Sequence, residues 1–239
     1  MPQKRIDARR ANQLRPVKIT PDFVRTADGS CLIEMDGTRV ICTASIENSV
    51  PQWRDESDGG WVSAEYGMLP ASTGRRKSRP TVKPDSRGIE IQRLIGRSLR
   101  SIVRFDRLGA NSITLDCDVL EADGGTRTAS ITGAYVALQK AVEKGVAAGL
   151  FKKGVLQGAV AAVSVGIING KAMLDLCYAE DSTADVDMNV VMTSSGKFVE
   201  IQGTSEAAPF TSAQLQQMLT LAKKGIRELL KIQKQTLAK

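Results

Sequence analysis

The chain has 239 residues, 42% of them hydrophobic and 25% charged, the proportions of a folded protein with a sizeable buried core. It contains no histidine, which excludes Ser-His-Asp and Cys-His catalysis and every metal site that needs imidazole. The net charge of +7 is concentrated between Ser72 and Arg107, where eleven basic residues face three acidic ones; that segment carries +8 and the rest of the chain is about neutral.

Residues 1–16 form a basic arm containing RIDARRANQLRP, with neither helical nor strand periodicity and without the apolar stretch of a signal peptide. Phe23 to Glu47 holds two strand-like runs around a hairpin turn at Met35-Asp36-Gly37-Thr38, and Val40–Ser45 reads as a buried strand. Trp61 to Leu69 reads as another. Residues 71–88 have loop composition and many charges, which predicts a mobile basic loop. Ile89 to Arg104 is an amphipathic helix whose Ile91, Leu94, Ile95, Leu99, Ile102 and Val103 share a face. Arg93, Arg97, Arg100 and Arg104 make a second stripe, and like charges at this spacing repel unless something anionic lies against them. A bound polyanion, most simply nucleic acid, would answer that need, and so would acidic groups of the protein itself.

Ile113 to Leu120 alternates as a strand, and Asp123-Gly124-Gly125 breaks it. Thr126, Arg127, Thr128 and Ser130 follow, and a helix is expected from about Ser130 to Gly149. A glycine turn opening a helix gathers backbone N–H groups and the positive end of the helix dipole; with an arginine and hydroxyls it suits phosphate. An ordinary turn with a hydroxyl cap has the same spacing, and both readings stand at this point. The motif is neither a Walker A loop nor GxGxxG.

A second strand-rich region follows: Gly158–Ile168, Lys171–Ala179, Asp187–Thr193 and Lys197–Gln202, with a hairpin at Ser194-Ser195-Gly196. A last helix starts at Thr211, with Gln214 completing a capping box. The stretch from Asp175 to Asn189 gathers Asp175, Glu180, Asp181, Asp185 and Asp187, which would either bind a hard cation such as magnesium beside a phosphate or make a polar surface turn. Cys31, Cys42, Cys117 and Cys177 lie far apart in apolar runs and read as reduced core residues. The most apolar run, Gly158–Ile168, is too short to span a bilayer, so no membrane association and a cytoplasmic location are expected. Strands followed by helices, twice over, predict an α+β fold with split β-α-β units; no linker forces a division, and residues 1–239 read as one domain.

Seven ordered motifs carry a family resemblance: RxDxRxxNQLRP (5–16), AEYGMLPAST (64–73), EIQRLIGRSLR (90–100), LDCDVLEADGGTRTASITGA (115–134), AAVSVGI (161–167), EDSTADVDMNVVMT (180–193) and EIQGTSEAAPF (200–210). Together they resemble the bacterial ribonuclease PH family over nearly the whole chain. The resemblance implies a ribosomal-protein-S5-domain-2-like fold, a homo-hexamer built as a trimer of dimers, and phosphate-dependent 3′→5′ trimming of tRNA precursors and other RNAs. In that reaction inorganic phosphate is the attacking co-substrate, nucleoside diphosphate leaves, and the reverse reaction adds nucleotides. It further implies that Arg87, Gly125, Thr126 and Arg127 bind phosphate, and that Asp181 and Asp187 are the catalytic aspartates and magnesium ligands. Arg75, Arg76 and Arg79 lie where the family's RNA-guiding loop sits, and Arg93 and Arg97 extend that surface along the helix. Ala8 stands where the family usually has glycine, and Asp185 where glutamate is common. A catalytically silent ring subunit is the rival reading, disfavoured because all six phosphate and aspartate positions are kept; a small-molecule enzyme does not account for the basic segment.

Overall fold

The computed structural model describes residues 5–79, 85–206 and 209–238. The first sheet is built from β1 (Val17–Pro21), β2 (Gly29–Met35), β3 (Thr38–Glu47), β4 (Trp61–Met68) and β5 (Ser112–Glu121), in the order β1-β2-β3-β5-β4. Neighbours are antiparallel except β4 and β5, which run parallel because α1 (Ser86–Arg100) and the short α2 (Phe105–Leu108) carry the chain back between them. The chain then enters α3 (Thr126–Ala147), and the second sheet follows: β6 (Val160–Ile168), β7 (Lys171–Leu174), a one-turn α4 (Tyr178–Asp181), β8 (Val186–Thr193) and β9 (Phe198–Ser205), antiparallel in the order β7-β6-β8-β9. The last element is α5 (Ser212–Leu237), opened by the Thr211–Gln214 capping box. This is the α+β architecture expected.

α3 is the centre of the packing. It lies against β2 and β3 of the first sheet and β6 of the second, so fourteen of its residues are buried. A helix covered on both sides needs no polar stripe, which is why its sequence is alanine-rich rather than amphipathic. Cys31, Cys42 and Cys117 stand in register across β2, β3 and β5 beneath it, all free thiols. The neighbouring thiols and full burial push the Cys42 pKa well up, so that thiol stays neutral. Gly133 makes the close approach possible, since a β-carbon there would sit 2.8 Å from the Cys42 sulfur and from Ile33.

Four expectations are corrected. α3 begins at Thr126, four residues earlier than the hydroxyl-rich run indicated, because Gly125 in a left-handed conformation opens the helix itself. The strand expected over 171–179 ends at Leu174, where Asp175 turns left-handed (φ 55°) and the chain enters α4. The edge strand β1 falls in a stretch that carried no strand signal, and α1 ends at Arg100, with Val103 then bridging to Leu156. Of the basic loop expected over 71–88, residues 80–84 lie outside the described residues. Among the described residues no helix is long and apolar enough to cross a membrane.

Candidate active site

A cleft of about 600 Å³ opens where β5 hands over to α3. Its walls include Thr73, Arg75 and Lys77 from the basic loop, Arg87 from the first turn of α1, Gly124 to Arg127, Ser164 and Asn189 from the second sheet, and Asp181 and Asp187. An adjoining hollow shares Arg87, Arg127, Asp181 and Asp187 and adds Glu90. The six residues that the resemblance singled out for phosphate and catalysis therefore converge on one cleft, although they come from four separate parts of the chain.

Each wall has a local cause. Gly124 and Gly125 both adopt positive φ (76° and 66°), the turn that swings the chain off the sheet. Among the described residues no side chain caps α3, so the amides from Gly125 to Arg127, at the positive end of a 22-residue helix, are offered to an anion. Tyr66 fixes the rim by a 2.9 Å bond between its hydroxyl and that of Thr126, and burial raises its pKa, so it stays a neutral partner. Asp85 caps α1 by accepting from the Arg87 amide (3.2 Å), which holds Arg87 at the mouth.

The aspartates sit opposite. Asp181 stands on the open side, yet desolvation first, and then the like charge of Asp187, hold its pKa above the usual carboxylate value against the pull of Arg127, Arg87 and Arg15. Asp187 belongs to β8 and faces the same space. Among the described residues no trio of carboxylates and thiolates converges as a closed metal cage. Two carboxylates completed by phosphate oxygens are nevertheless the donor set that magnesium takes.

The residues that align these walls were not singled out from the sequence. Arg5, buried on the arm, grips Glu180 with both sides of its guanidinium (Nε to Oε1 2.7 Å) and donates to the Leu174 and Asp175 carbonyls. Arg15, 2% exposed, pairs with buried Asp175 (Nη2 to Oδ1 2.7 Å) and also donates to the carbonyl of Asp123 at 2.6 Å. One arginine thus ties the glycine turn to the segment carrying Asp181. The carboxylate excess between Asp175 and Asp187 is accordingly divided: Asp175 and Glu180 are structural ion-pair partners, and Asp181 and Asp187 face the cleft. Contact between turn and segment is tight, because a β-carbon on Gly124 would stand 2.8 Å from the Leu176 carbonyl and the Tyr178 amide. Gly124→Ala should therefore combine left-handed strain with a backbone clash, costing about 2–3 kcal/mol and raising the phosphate KM. Thermal unfolding and kinetics test this; a variant matching the parent in both would contradict the packing described.

The remaining arginines are dispersed. Arg75 lines the cleft, Arg76 is exposed beside it, and Arg79 partly opposes the desolvation that raises the Asp118 pKa on β5. On α1, Arg93 is exposed, Arg97 pairs with Glu200 (2.9 Å), Arg100 stacks 4.7 Å from the Trp61 ring, and beyond the helix Arg104 pairs with Asp106 (3.1 Å). Much of the stripe is thus answered from inside the protein. Ala8 has φ 61°, a left-handed conformation that costs an alanine about 1 kcal/mol.

Residues 13–142 match the model of the 3′ exoribonuclease family, domain 1, and residues 158–225 match that of domain 2. The chain belongs to the ribonuclease PH family. A ribonuclease PH of Neisseria meningitidis serogroup C is 56% identical over 233 residues, covering 97% of this chain and 96% of the relative. One of Neisseria gonorrhoeae is 54% identical over 240 residues, covering 100% and 99%. Among solved structures, a chain of the Archaeoglobus fulgidus exosome with RNA bound to the active site superposes with a TM-score of 0.82 at 22% identity, covering 95% of this chain and 92% of that one. Rice Rrp46 gives 0.78 at 17% identity, covering 98% and 100%. At such identities these two show a shared fold. Family membership at more than half identity over the full length makes this chain a phosphorolytic 3′→5′ exoribonuclease that processes tRNA.

Proposed function

We propose that the cleft performs this phosphorolysis with Arg87, Arg127 and the amides at Gly125–Thr126 holding inorganic phosphate, and Asp181 supplying the proton. The observation that carries the reading is the meeting of two guanidiniums, an uncapped helix end and a carboxyl of raised pKa in one cleft. The bound phosphate attacks the phosphorus of the terminal phosphodiester in line; the bond to the 3′-oxygen of the preceding nucleotide breaks, and nucleoside diphosphate leaves. That 3′-oxygen takes its proton from Asp181, whose pKa is raised by desolvation first and then by the like charge of Asp187. Asp181 and Asp187, with phosphate oxygens, would hold magnesium, which when bound offsets charge on the transferred phosphoryl group. Arg75, Arg76 and Arg79 would guide the RNA backbone into the cleft; Arg93 and Arg97 extend that path, Arg97 in competition with Glu200. Aromatics are 4% of residues, which favours backbone and shape recognition over base stacking.

Substrates on this reading are 3′-tailed RNAs such as tRNA precursors, handled in the cytoplasm by a hexameric ring, a trimer of dimers. The ring is supported by the fold shared with exosome chains.

Product analysis on a short 3′-tailed RNA tests the mechanism. The parent should release nucleoside diphosphate only when phosphate is present, and Asp181→Asn should bind phosphate but release almost none. Nucleoside monophosphate without phosphate would contradict it. The same variant carries a stability prediction. A folded pKa raised above the unfolded value means that Asp181 charges at a cost, so its contribution is lost as pH rises through the folded value. Asp181→Asn should therefore melt higher than the parent at neutral pH, and the gain should vanish below the ordinary Asp value of about 3.9.

A further inference from the structure

The guanidinium of Arg127 is not idle in this structure. Its Nη1 donates to Gln202 Oε1 at 2.9 Å and lies 3.5 Å from Glu90 Oε1, while Gln202 Nε2 donates to that same carboxylate oxygen at 2.9 Å. Glu90 comes from α1 and Gln202 from β9, so the triangle closes across the cleft mouth. The Arg127 side chain is only 18% exposed and the Glu90 side chain 49%, so the carboxylate stands on the solvent side of the guanidinium. Glu90 also lines the hollow shared by Arg87, Arg127, Asp181 and Asp187.

An arginine meant for a phosphate is here already partnered by a carboxylate. We propose that Glu90 is a built-in competitor for Arg127: its carboxylate occupies the guanidinium until phosphate displaces it, and so sets how tightly the site holds phosphate groups. The inference rests on Arg127 as the phosphate ligand and deepens that reading.

The charge logic fixes the direction. Phosphate must break the Glu90–Arg127 contact to enter and then sits beside a carboxylate of like sign, so both effects weaken its hold. The product bears a phosphate derived from the same ion, so its hold is weakened equally. A phosphorolytic enzyme gains from this, because each turnover must exchange a nucleoside diphosphate for a fresh phosphate at one guanidinium. Gln202 keeps the arginine aimed while the anions change, since its amide bonds both partners. Glu90 is thus a positioning residue acting through Arg127.

The test is Glu90→Gln, which keeps the side-chain shape and removes the charge. The KM for inorganic phosphate should fall about fivefold, with inhibition by added nucleoside diphosphate strengthened by a similar factor, and both changes should exceed any in the KM for RNA. Glu90→Asp keeps a carboxylate near the site and should stay closer to the parent than Glu90→Gln does. An unchanged or raised phosphate KM in Glu90→Gln would overturn the proposal, since a merely structural Glu90 could only weaken binding when altered. Phosphate binding to Arg127→Ala separates the two levels. If that variant binds phosphate like the parent, Arg127 is not the ligand and both readings fall. If it loses phosphate while Glu90→Gln gains none, only the competitor role falls.

Discussion

Arg127→Ala should lower phosphorolytic turnover by about 10²–10³-fold and leave the fold intact. Removing one preorganised donor from a site of developing charge has an effect of this size, and Arg127 combines donor and full positive charge in a cleft partly closed to water. The fold should survive because, among the described residues, the guanidinium's side-chain partners are Gln202 and Glu90 at the mouth. The buried faces of α3 lie further along the helix, against β2, β3 and β6. Loss of a partly exposed ion pair should cost stability no more than about 1 kcal/mol. Kinetics at saturating RNA, with thermal unfolding of the same preparation, check both halves.

Arg15→Met should act first on stability. Arg15 and Asp175 are both almost completely buried, and Asp175 accepts from the backbone amide of Arg15 (2.7 Å) as well as from its side chain. Burial alone would push the Arg15 pKa down, but Asp175 holds it above its ordinary value. Methionine fills much of the space and leaves the Asp175 carboxylate buried with its main cation gone, at a cost of about 3–5 kcal/mol. For a chain of this length that is on the order of 10 °C in Tm. Activity falls too, since the Asp123 carbonyl and the Asp175 segment lose their common tether. Exchanging the pair together, Arg15→Met with Asp175→Asn, should recover part of the stability and less of the activity, because an uncharged pair restores polar balance but not alignment. A single Arg15→Met variant with parental Tm would contradict the assignment of this pair.

The second network partner answers to pH. Burial would raise the Glu180 pKa, but the Arg5 guanidinium holds it below the usual value. Its contribution is therefore present above the ordinary glutamate range and is lost as pH falls through the lowered folded value.

What could be read from the sequence divides along the range of the interactions. The Met35–Thr38 hairpin, the capping box at Thr211, the helix face of Ile91 to Leu99 and the glycine turn before Thr126 are written in neighbouring residues. The arm was opaque because Arg5 and Glu180 are 175 positions apart and Arg15 and Asp175 are 160 apart, so neither pair leaves a local period. The same distance hid the end of β7, where left-handed Asp175 is held by Arg15 and not by any turn residue. For the site, the motifs identified Arg87, Arg127, Asp181 and Asp187 as a set, but not that Glu90 and Gln202 would stand on Arg127. The arginine stripe on α1 was visible as a pattern, while its partners Glu200 and Trp61 came from the second sheet and from β4.

Titration of inorganic phosphate into the RNA-free protein, followed by calorimetry or by phosphorus NMR, tests the centre of this account most directly. The parent should show one saturable site per chain, weakened at least a hundredfold in Arg127→Ala. Equal phosphate binding by the two proteins would place the phosphate elsewhere and contradict the reading of the glycine turn and its arginine.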